Sequence, residues 1–436
     1  MNYEKGSSKL INAWAFYDWA NSVYPLVIST AIFPLYYTSM TNSFANINGK
    51  IIFFGVEWIP TTLYDYTLSF SFLVIAFISP ILSGIADYTG NKLKFLKFFC
   101  FLGSLSVMSL FFFKDESTLW IALLFTMLAS IGFWGSLVFY NAYLPEISYP
   151  HQQDKVSAKG FIYGYSGSII LFILCIILIQ KPDWFNIKDL SLATRLTFLL
   201  VGFWWISFSQ ITYKRLPNNI FKKKPKKNYI WKGFVELKIV LKSLPKFSKL
   251  KYFLISFFLL SVGVQTIILM AGIFGSEELG LPTFNLILTI LIIQFVAIIG
   301  AFIFSRISSK IGNIKTLKIT LTVWGMVCFI AYVLDKSLPN IDVYFYLLAL
   351  ILGFVLGATQ TLTRSTYSKL LPETHDHAIY FSFYDVTEKI AIVFGMFIFG
   401  FLLSITGSMQ NSVLALSIFF LMSFMSLFNI KEINIK

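Results

Sequence analysis

Twelve apolar runs divide this chain. They cover residues 10–38, 67–86, 95–113, 119–144, 157–179, 192–213, 252–274, 284–307, 317–334, 344–371, 379–403 and 412–428, with charged and turn residues between them. A bilayer core about 30 Å thick requires roughly 20 apolar residues at about 1.5 Å rise each, which is the scale of these runs. None shows a polar face recurring with the helical period, so each reads as a helix facing lipid or other helices on all sides. Membrane-spanning strands are about 10 residues long and alternate in polarity, a pattern the Phe-rich and Ile-rich runs lack. The expectation is an all-α membrane protein with 12 transmembrane helices.

Composition agrees. Hydrophobic residues make up 57% of 436 positions and charged residues 13%, with a mean hydropathy of +0.73, whereas soluble domains carry about 25% charged residues. The first run follows Lys5 and Lys9. It is too long for a signal-peptide core, holds Asp18 and Asn21, and lacks a small-x-small cleavage site, so it is expected to be retained as the first span.

Charge then orients the spans. With the N-terminus placed in the cytoplasm, 28 of the 35 Lys and Arg residues fall in cytoplasmic segments, 6 fall outside and Lys389 lies within a span. That asymmetry puts both termini and the long segment 214–251 in the cytoplasm, most simply of a bacterium. The net charge of +14 is therefore a topology signal, with membrane lipids as the partner of the central KKKPKK run and no call for nucleic acid. Cys100, Cys175 and Cys328 stand in three different runs, which implies no disulfide framework. His151, His375 and His377 stand in loops, and the His375-Asp-His377 triplet reads as a polar turn rather than a metal site. No cofactor or metal is expected, nor a nucleophile and base pair that would make an enzyme.

The runs repeat. The second ends in Asp87-Tyr-Thr-Gly90-Asn-Lys92 and the eighth in Ser309-Lys-Ile-Gly312-Asn, an offset of 222; the fourth ends in Pro145-Glu146 and the tenth in Pro372-Glu373, an offset of 227. Two unrelated markers at nearly one offset, separated by an even number of spans, indicate two parallel six-helix halves, 1–213 and 252–436, joined by the basic linker 214–251. That is the architecture of major facilitator transporters. The first turn resembles the signature loop of that superfamily: Gly90 permits a tight turn, Asp87 can accept from a neighbouring helix N-terminus, and Lys92 faces the cytoplasmic side. The leading glycine of that signature falls on Ser83. Because Ser309 replaces the acid in the second half, only the first-half loop is expected to form a charge-dependent latch.

Seven blocks in order, on seven runs, carry a closer resemblance. They are Ala13-Trp-Ala-Phe-Tyr-Asp18-Trp-Ala-Asn21-Ser, Phe139-Tyr-Asn141-Ala-Tyr-Leu-Pro-Glu146, Gly160-Phe-Ile-Tyr-Gly-Tyr165-Ser-Gly167, Gly202-Phe-Trp204-Trp205, Gly263-Val-Gln265-Thr266, Gly357-Ala-Thr-Gln360-Thr-Leu-Thr-Arg364-Ser365, and Phe383-Tyr384-Asp385 with Lys389. The chain resembles the vacuole-effluxer-like family, which comprises fungal autophagy-related vacuolar amino-acid effluxers and bacterial relatives within the major facilitator superfamily. The resemblance implies secondary transport of a small polar solute, with an amino acid as a candidate. The family often has an acid just before Gly263-Val-Gln-Thr, where this chain has Val262, so a coupling role for that carboxylate does not transfer.

The same blocks are where the spans turn polar. Asp18 and Asn21 share a face of the first span. A carboxylate in a bilayer costs a few kcal/mol unless it meets water or a partner, so it marks a pathway by default, the bland alternative being an interfacial residue that reaches water. Tyr140, Asn141, Gln265, Thr266, Gln360, Arg364 and Tyr384 add donors and acceptors; for Gln265 and Gln360 the alternative is hydrogen bonding between helices.

Within the spans the acids are Asp18, Asp385 and Glu388 and the cations Arg364 and Lys389. Asp385 and Lys389 stand at i and i+4 and can neutralise one another. Arg364 can take a substrate carboxylate, which leaves one acid without a cation to carry a coupling proton: Asp18, on the first span among polar neighbours, is the choice, with Glu388 as its rival. The expected function is ion- or proton-coupled transport by a monomer. The alternative is a receptor or scaffold bundle, for which 214–251 is too short and too basic to be the folded domain required.

Overall fold

The computed structural model describes residues 4–218, 235, 238–243 and 246–432. The KKKPKK run at 222–227 and the terminal Lys436 lie outside these residues. Among the described residues, eleven helices are long and apolar enough to cross a membrane. In chain order the elements are α1 (Ser8–Asn21), a π-helical segment (Tyr24–Ala31), α2 (Phe33–Phe44), strands β1 (Ile51–Phe53) and β2 (Val56–Trp58), α3 (Pro60–Thr89), α4 (Lys92–Ser109), α5 (Leu119–Ala142), the short α6 (Leu144–Ile147), α7 (Gln153–Gln180) and α8 (Leu190–Tyr213). After the linker come α9 (Ser248–Ile273), α10 (Thr283–Ile311), α11 (Asn313–Val333), α12 (Ile341–Leu370), α13 (His377–Thr406) and α14 (Met409–Ser426).

The first apolar run differs from expectation. It is helical throughout most of its length but broken into three pieces, because Pro25 and Pro34 each remove an amide donor near the start of a segment. The ladder widens between them, where Ile32 N–H donates to the carbonyl of Val27 at 2.8 Å, a five-residue step. The hairpin between the first and second runs was not expected. Phe54 and Gly55 turn it with φ of 50° and 76°, pairing Ile51 with Trp58.

Helix contacts fall into two sets. α1 packs on α7 and α8, α4 on α5 and α8, and α3 on α5; α10 packs on α12, α11 on α12 and α14, and α9 on α13 and α14. The sets meet where α7 lies against α10 and α12, and where α13 lies against α3 and α5. Small residues set the closest crossings, as packing in lipid requires. A Cβ at Gly357 would lie 2.0 Å from the Ala297 carbonyl, and one at Gly132 would lie 2.4 Å from the Cα of Gly103, so neither position admits a side chain. Phe77, Phe203 and Phe397 are exposed around the bundle, as lipid-facing residues should be, while Trp14, Trp205 and Trp324 are fully buried within it.

Candidate functional site

The first group of polar residues joins the two helix sets at the centre. Asp18 stands in the last turn of α1 and Arg364 near the end of α12, with Arg364 Nη1 3.2 Å from Asp18 Oδ2. Tyr140 donates its hydroxyl to the same oxygen at 2.7 Å. The guanidinium also donates to Asn141 Oδ1 at 3.3 Å, Ser157 Oγ at 3.0 Å and the Ser157 carbonyl at 2.7 Å. Its face lies 3.9 Å from the ring centroid of Phe161 and 4.9 Å from that of Trp14. Only 4% of Asp18 and 3% of Arg364 is exposed, so each charge depends on the other for neutralisation. The expectation that Asp18 is the acid without a cation is thereby corrected: the short reach between α1 and α12 gives it Arg364. Gly160 makes this approach feasible, since a Cβ there would sit 2.5 Å from Asp18 Oδ2 and 2.7 Å from Arg364 Nη2.

The second group surrounds α13. Lys389 Nζ lies 2.9 Å from Asp385 Oδ1, the expected i, i+4 pair, and 3.4 Å from Glu388 Oε2. Gln265 on α9 donates to Glu388 Oε1 at 2.8 Å. The ammonium also rests 3.3 Å from the ring centroid of Trp134 on α5, across the boundary between the helix sets.

Two further polar clusters clamp the sets together at one end. In the first, Gly90 ends α3 in the left-handed conformation with φ 69°, which turns the chain into α4. Asp87 accepts from the Ala378 and Ile379 amides at 3.2 and 2.9 Å, capping α13 from the other helix set. The residue at the N-cap position itself, Asp376, makes no such bond. Lys92 Nζ pairs with Asp87 at 2.9 Å and also with Glu146, while Glu146 Oε1 lies 3.2 Å from His377 Nδ1. His377 is thus part of a clamp, which the loop reading of the histidine triplet missed.

The second clamp contradicts the expectation of a single charge-dependent latch. Asp154, at the start of α7, accepts from Ser308 Oγ at 3.0 Å, Asn313 Nδ2 at 2.8 Å and Lys369 Nζ at 2.7 Å. Lys369 also donates to Asn313 Oδ1 at 2.8 Å. The acid is present but comes from the opposite side of the contact.

The remaining candidates are dispersed. Gln360 accepts from Tyr165 on α7, so both glutamines bond between helices. Tyr384 donates to Thr363 at 3.1 Å and stacks on Phe257 at 4.0 Å. Thr266 spends its hydroxyl on the Val262 carbonyl of its own helix at 2.6 Å, and buried Asn21 accepts from Ser22 at 3.4 Å. Sequence reasoning missed Ser157, Asp154, Asn313 and Lys369. Ser157 carried one usable signal: it lies one turn before Gly160, on the same face of α7.

Comparisons with known proteins span nearly the whole chain. Residues 6–433 match the family described as vacuole effluxer Atg22 like. An uncharacterised MFS-type transporter, YxiO, of Bacillus subtilis (strain 168) is 32% identical over 98% of this chain and 96% of its own length. Autophagy-related protein 22 of Pichia angusta is 24% identical over 88% of this chain and 78% of its own length. Among solved structures, the major facilitator transporter FucP in its outward conformation aligns with TM-score 0.70 at 14% identity, covering 97% of this chain and 98% of FucP. The human organic anion transporter MFSD10 aligns with TM-score 0.71 at 13% identity, covering 96% and 99%. Those two likenesses establish the fold, and the match along nearly the whole chain bears out the resemblance read from the seven blocks. The chain is a multi-pass membrane protein of the major facilitator fold, a transporter of that type, and belongs to the vacuole effluxer Atg22-like family.

Proposed function

We propose that this protein carries a small zwitterion of the amino-acid class across a bacterial cytoplasmic membrane by alternating access, in a proton-coupled cycle. The two sets of helices, 1–213 and 252–436, are the rocking halves, with 214–251 as their cytoplasmic linker. The clamped end is the cytoplasmic end, a reading supported by the excess of basic residues in the loops on that side. With both clamps made, the pathway is shut towards the cytoplasm. Opening that side requires Asp87 to leave the amides of α13 and Asp154 to leave Lys369.

The observation that carries the substrate class is the Asp18–Arg364 pair. It offers a guanidinium matched to a carboxylate and a carboxylate matched to an ammonium, one from each half. A zwitterion of one amino-acid length can replace the pair by meeting both charges, and the two halves then separate without stranding a buried ion. A small solute lacking either charge would leave Asp18 or Arg364 unpaired and is rejected.

The test is thermal stabilisation of purified protein by a panel of amino acids. A ligand that binds only the native state at 100 times its Kd adds about 2.7 kcal/mol. At least one amino acid should raise the melting temperature of the wild type and fail to do so for Arg364→Ala. No shift across the panel, or an undiminished shift in the variant, overturns the substrate class.

A further inference from the structure

The charges buried in the membrane do not balance everywhere. Asp18 and Arg364 cancel one another. On α13, two carboxylates face one ammonium, with Asp385 and Glu388 2.9 and 3.4 Å from Lys389. Both oxygens of Glu388 are engaged, one by Gln265 and one by Lys389. Asp385 gives Oδ1 to Lys389, while its Oδ2 is buried with no hydrogen-bond partner. Asp385 is only 5% exposed, so an ionised oxygen there is largely desolvated and has no donor among the described residues to satisfy it. A protonated carboxyl removes the surplus charge.

Among the described residues, nothing around the cluster supplies the missing positive charge. α5 contributes the Trp134 ring, which already lies against Lys389, and its Tyr140 is bonded to Asp18. α9 contributes neutral Gln265, and its ionisable Lys249, Lys251 and Tyr252 stand in its first turns. α14 has no ionisable residue. On α3, Tyr64, Asp65, Tyr66, Asp87 and Tyr88 lie near its two ends, and Asp87 is committed to Lys92. On α12, Arg364 is committed to Asp18, while the Tyr384 hydroxyl of α13 donates to Thr363. A metal cation requires a cage of oxygens, and the ammonium of Lys389 already occupies the ground between the two carboxylates.

We propose that Asp385, Glu388 and Lys389 form the coupling-proton site of the transporter, taking up one proton from water in one state and releasing it in the other. The proposal rests on the transport reading and deepens it. Glu388 is the entry point, since its side chain is 18% exposed against 6% for Asp385 and 1% for Lys389. The added proton converts one carboxylate to a carboxyl group, no other bond breaks, and Lys389 neutralises whichever acid stays ionised. Because Lys389 also rests on Trp134 of the first half, the protonation state bears on a contact that the rocking motion must remake. Proton and conformation are thereby linked.

The test needs no transported solute. Purified full-length protein is titrated from alkaline to mildly acidic solution while the infrared carboxyl absorbance and the protons taken up, by indicator dye, are recorded. Glu388→Gln and Asp385→Asn each leave one acid opposite Lys389. Each should therefore take up one proton fewer than wild type and lose the titrating carboxyl band. Either variant decides the question alone, so a folding failure in one leaves the other. A band and a proton uptake unchanged from wild type overturn the assignment, as does a wild type with no titrating carboxyl. In proteoliposomes given an amino-acid mixture and a pH gradient, the variants should keep exchange and lose gradient-driven accumulation. If wild type moves no solute, the transport reading fails while the titration still judges the proton site.

Discussion

The two clamps do the same mechanical work with opposite layouts. In the first, the acid sits at the end of α3 and reaches across to the amides that open α13. In the second, the acid sits at the start of α7 and is met by Ser308, Asn313 and Lys369 from the other half. They also differ in redundancy. Lys92 has two carboxylate partners, Asp87 and Glu146, whereas Asp154 is the carboxylate on which Lys369 depends. Loss of one acid in the first clamp leaves Lys92 paired; loss of the acid in the second leaves a buried lysine with no carboxylate in contact among the described residues, only the more distant Glu432. The two contacts thus join the helix sets with different residues in different roles.

Breaking the second clamp should cost most. Asp154→Ala leaves Lys369, whose side chain is 2% exposed, without its counter-charge, and breaking such a pair costs about 3–5 kcal/mol. Thermal unfolding of purified protein measures the loss. Reactive cysteines placed along the clamped end should label faster in this variant, and unchanged labelling would show that the cluster does not hold that end shut. The exchange Asp154→Lys with Lys369→Asp should recover about 1–3 kcal/mol of coupling in a double-mutant cycle; additive losses would mean that the pair is not a working contact.

Asp87→Asn should cost less, about 1–2 kcal/mol. The amide can still accept from α13, and Lys92 keeps Glu146. It should speed labelling of the same cysteines and leave amino-acid stabilisation intact, because Asp87 lies outside the Asp18–Arg364 centre. A loss larger than that of Asp154→Ala would reverse the redundancy argument. The smallest effect belongs to Ser309→Asp, which restores the acid at the position aligned with Asp87. Ser309 is exposed and bonds to its own helix through the Arg306 carbonyl, so the change should fall within about 0.5 kcal/mol. A marked gain in stability would mean that the repeat offset locates the clamp better than the contacts do.

Much of this was legible from residue order. Apolar run lengths gave the helices, and one repeated offset tied Asp87 to a second-half counterpart. The i, i+4 spacing of Asp385 and Lys389 was enough to pair them, because both lie on one helix. Pairing between helices was hidden. Asp18 and Arg364 are 346 positions apart, and nothing local says which acid a given arginine will meet. The second clamp was misread for a related reason. A repeat compares one segment with its copy, but a clamp is made by two segments, and the acid had changed sides. Pro25 and Pro34 stand inside the first run, which reads as one unbroken span, and proline alone does not distinguish a kink from a widened turn.

That widened turn has one more consequence, for how this protein tolerates insertions and deletions. Residues 24–31 hold more chain per turn than an α-helix does. Deleting a single residue there would let the segment close as ordinary α-helix. Each residue of an α-helix subtends about 100°, and the widened turns absorb about one residue's worth of that rotation, so such a deletion keeps α1 near its bearing on α2. A deletion inside α2, which has no slack, would swing everything before it by that angle. After a deletion inside α2 Asp18 would leave Arg364, while the apolar content of the span stayed the same. A hydropathy profile would not register the change, and the bearing of one carboxylate on its partner across the bundle would be lost.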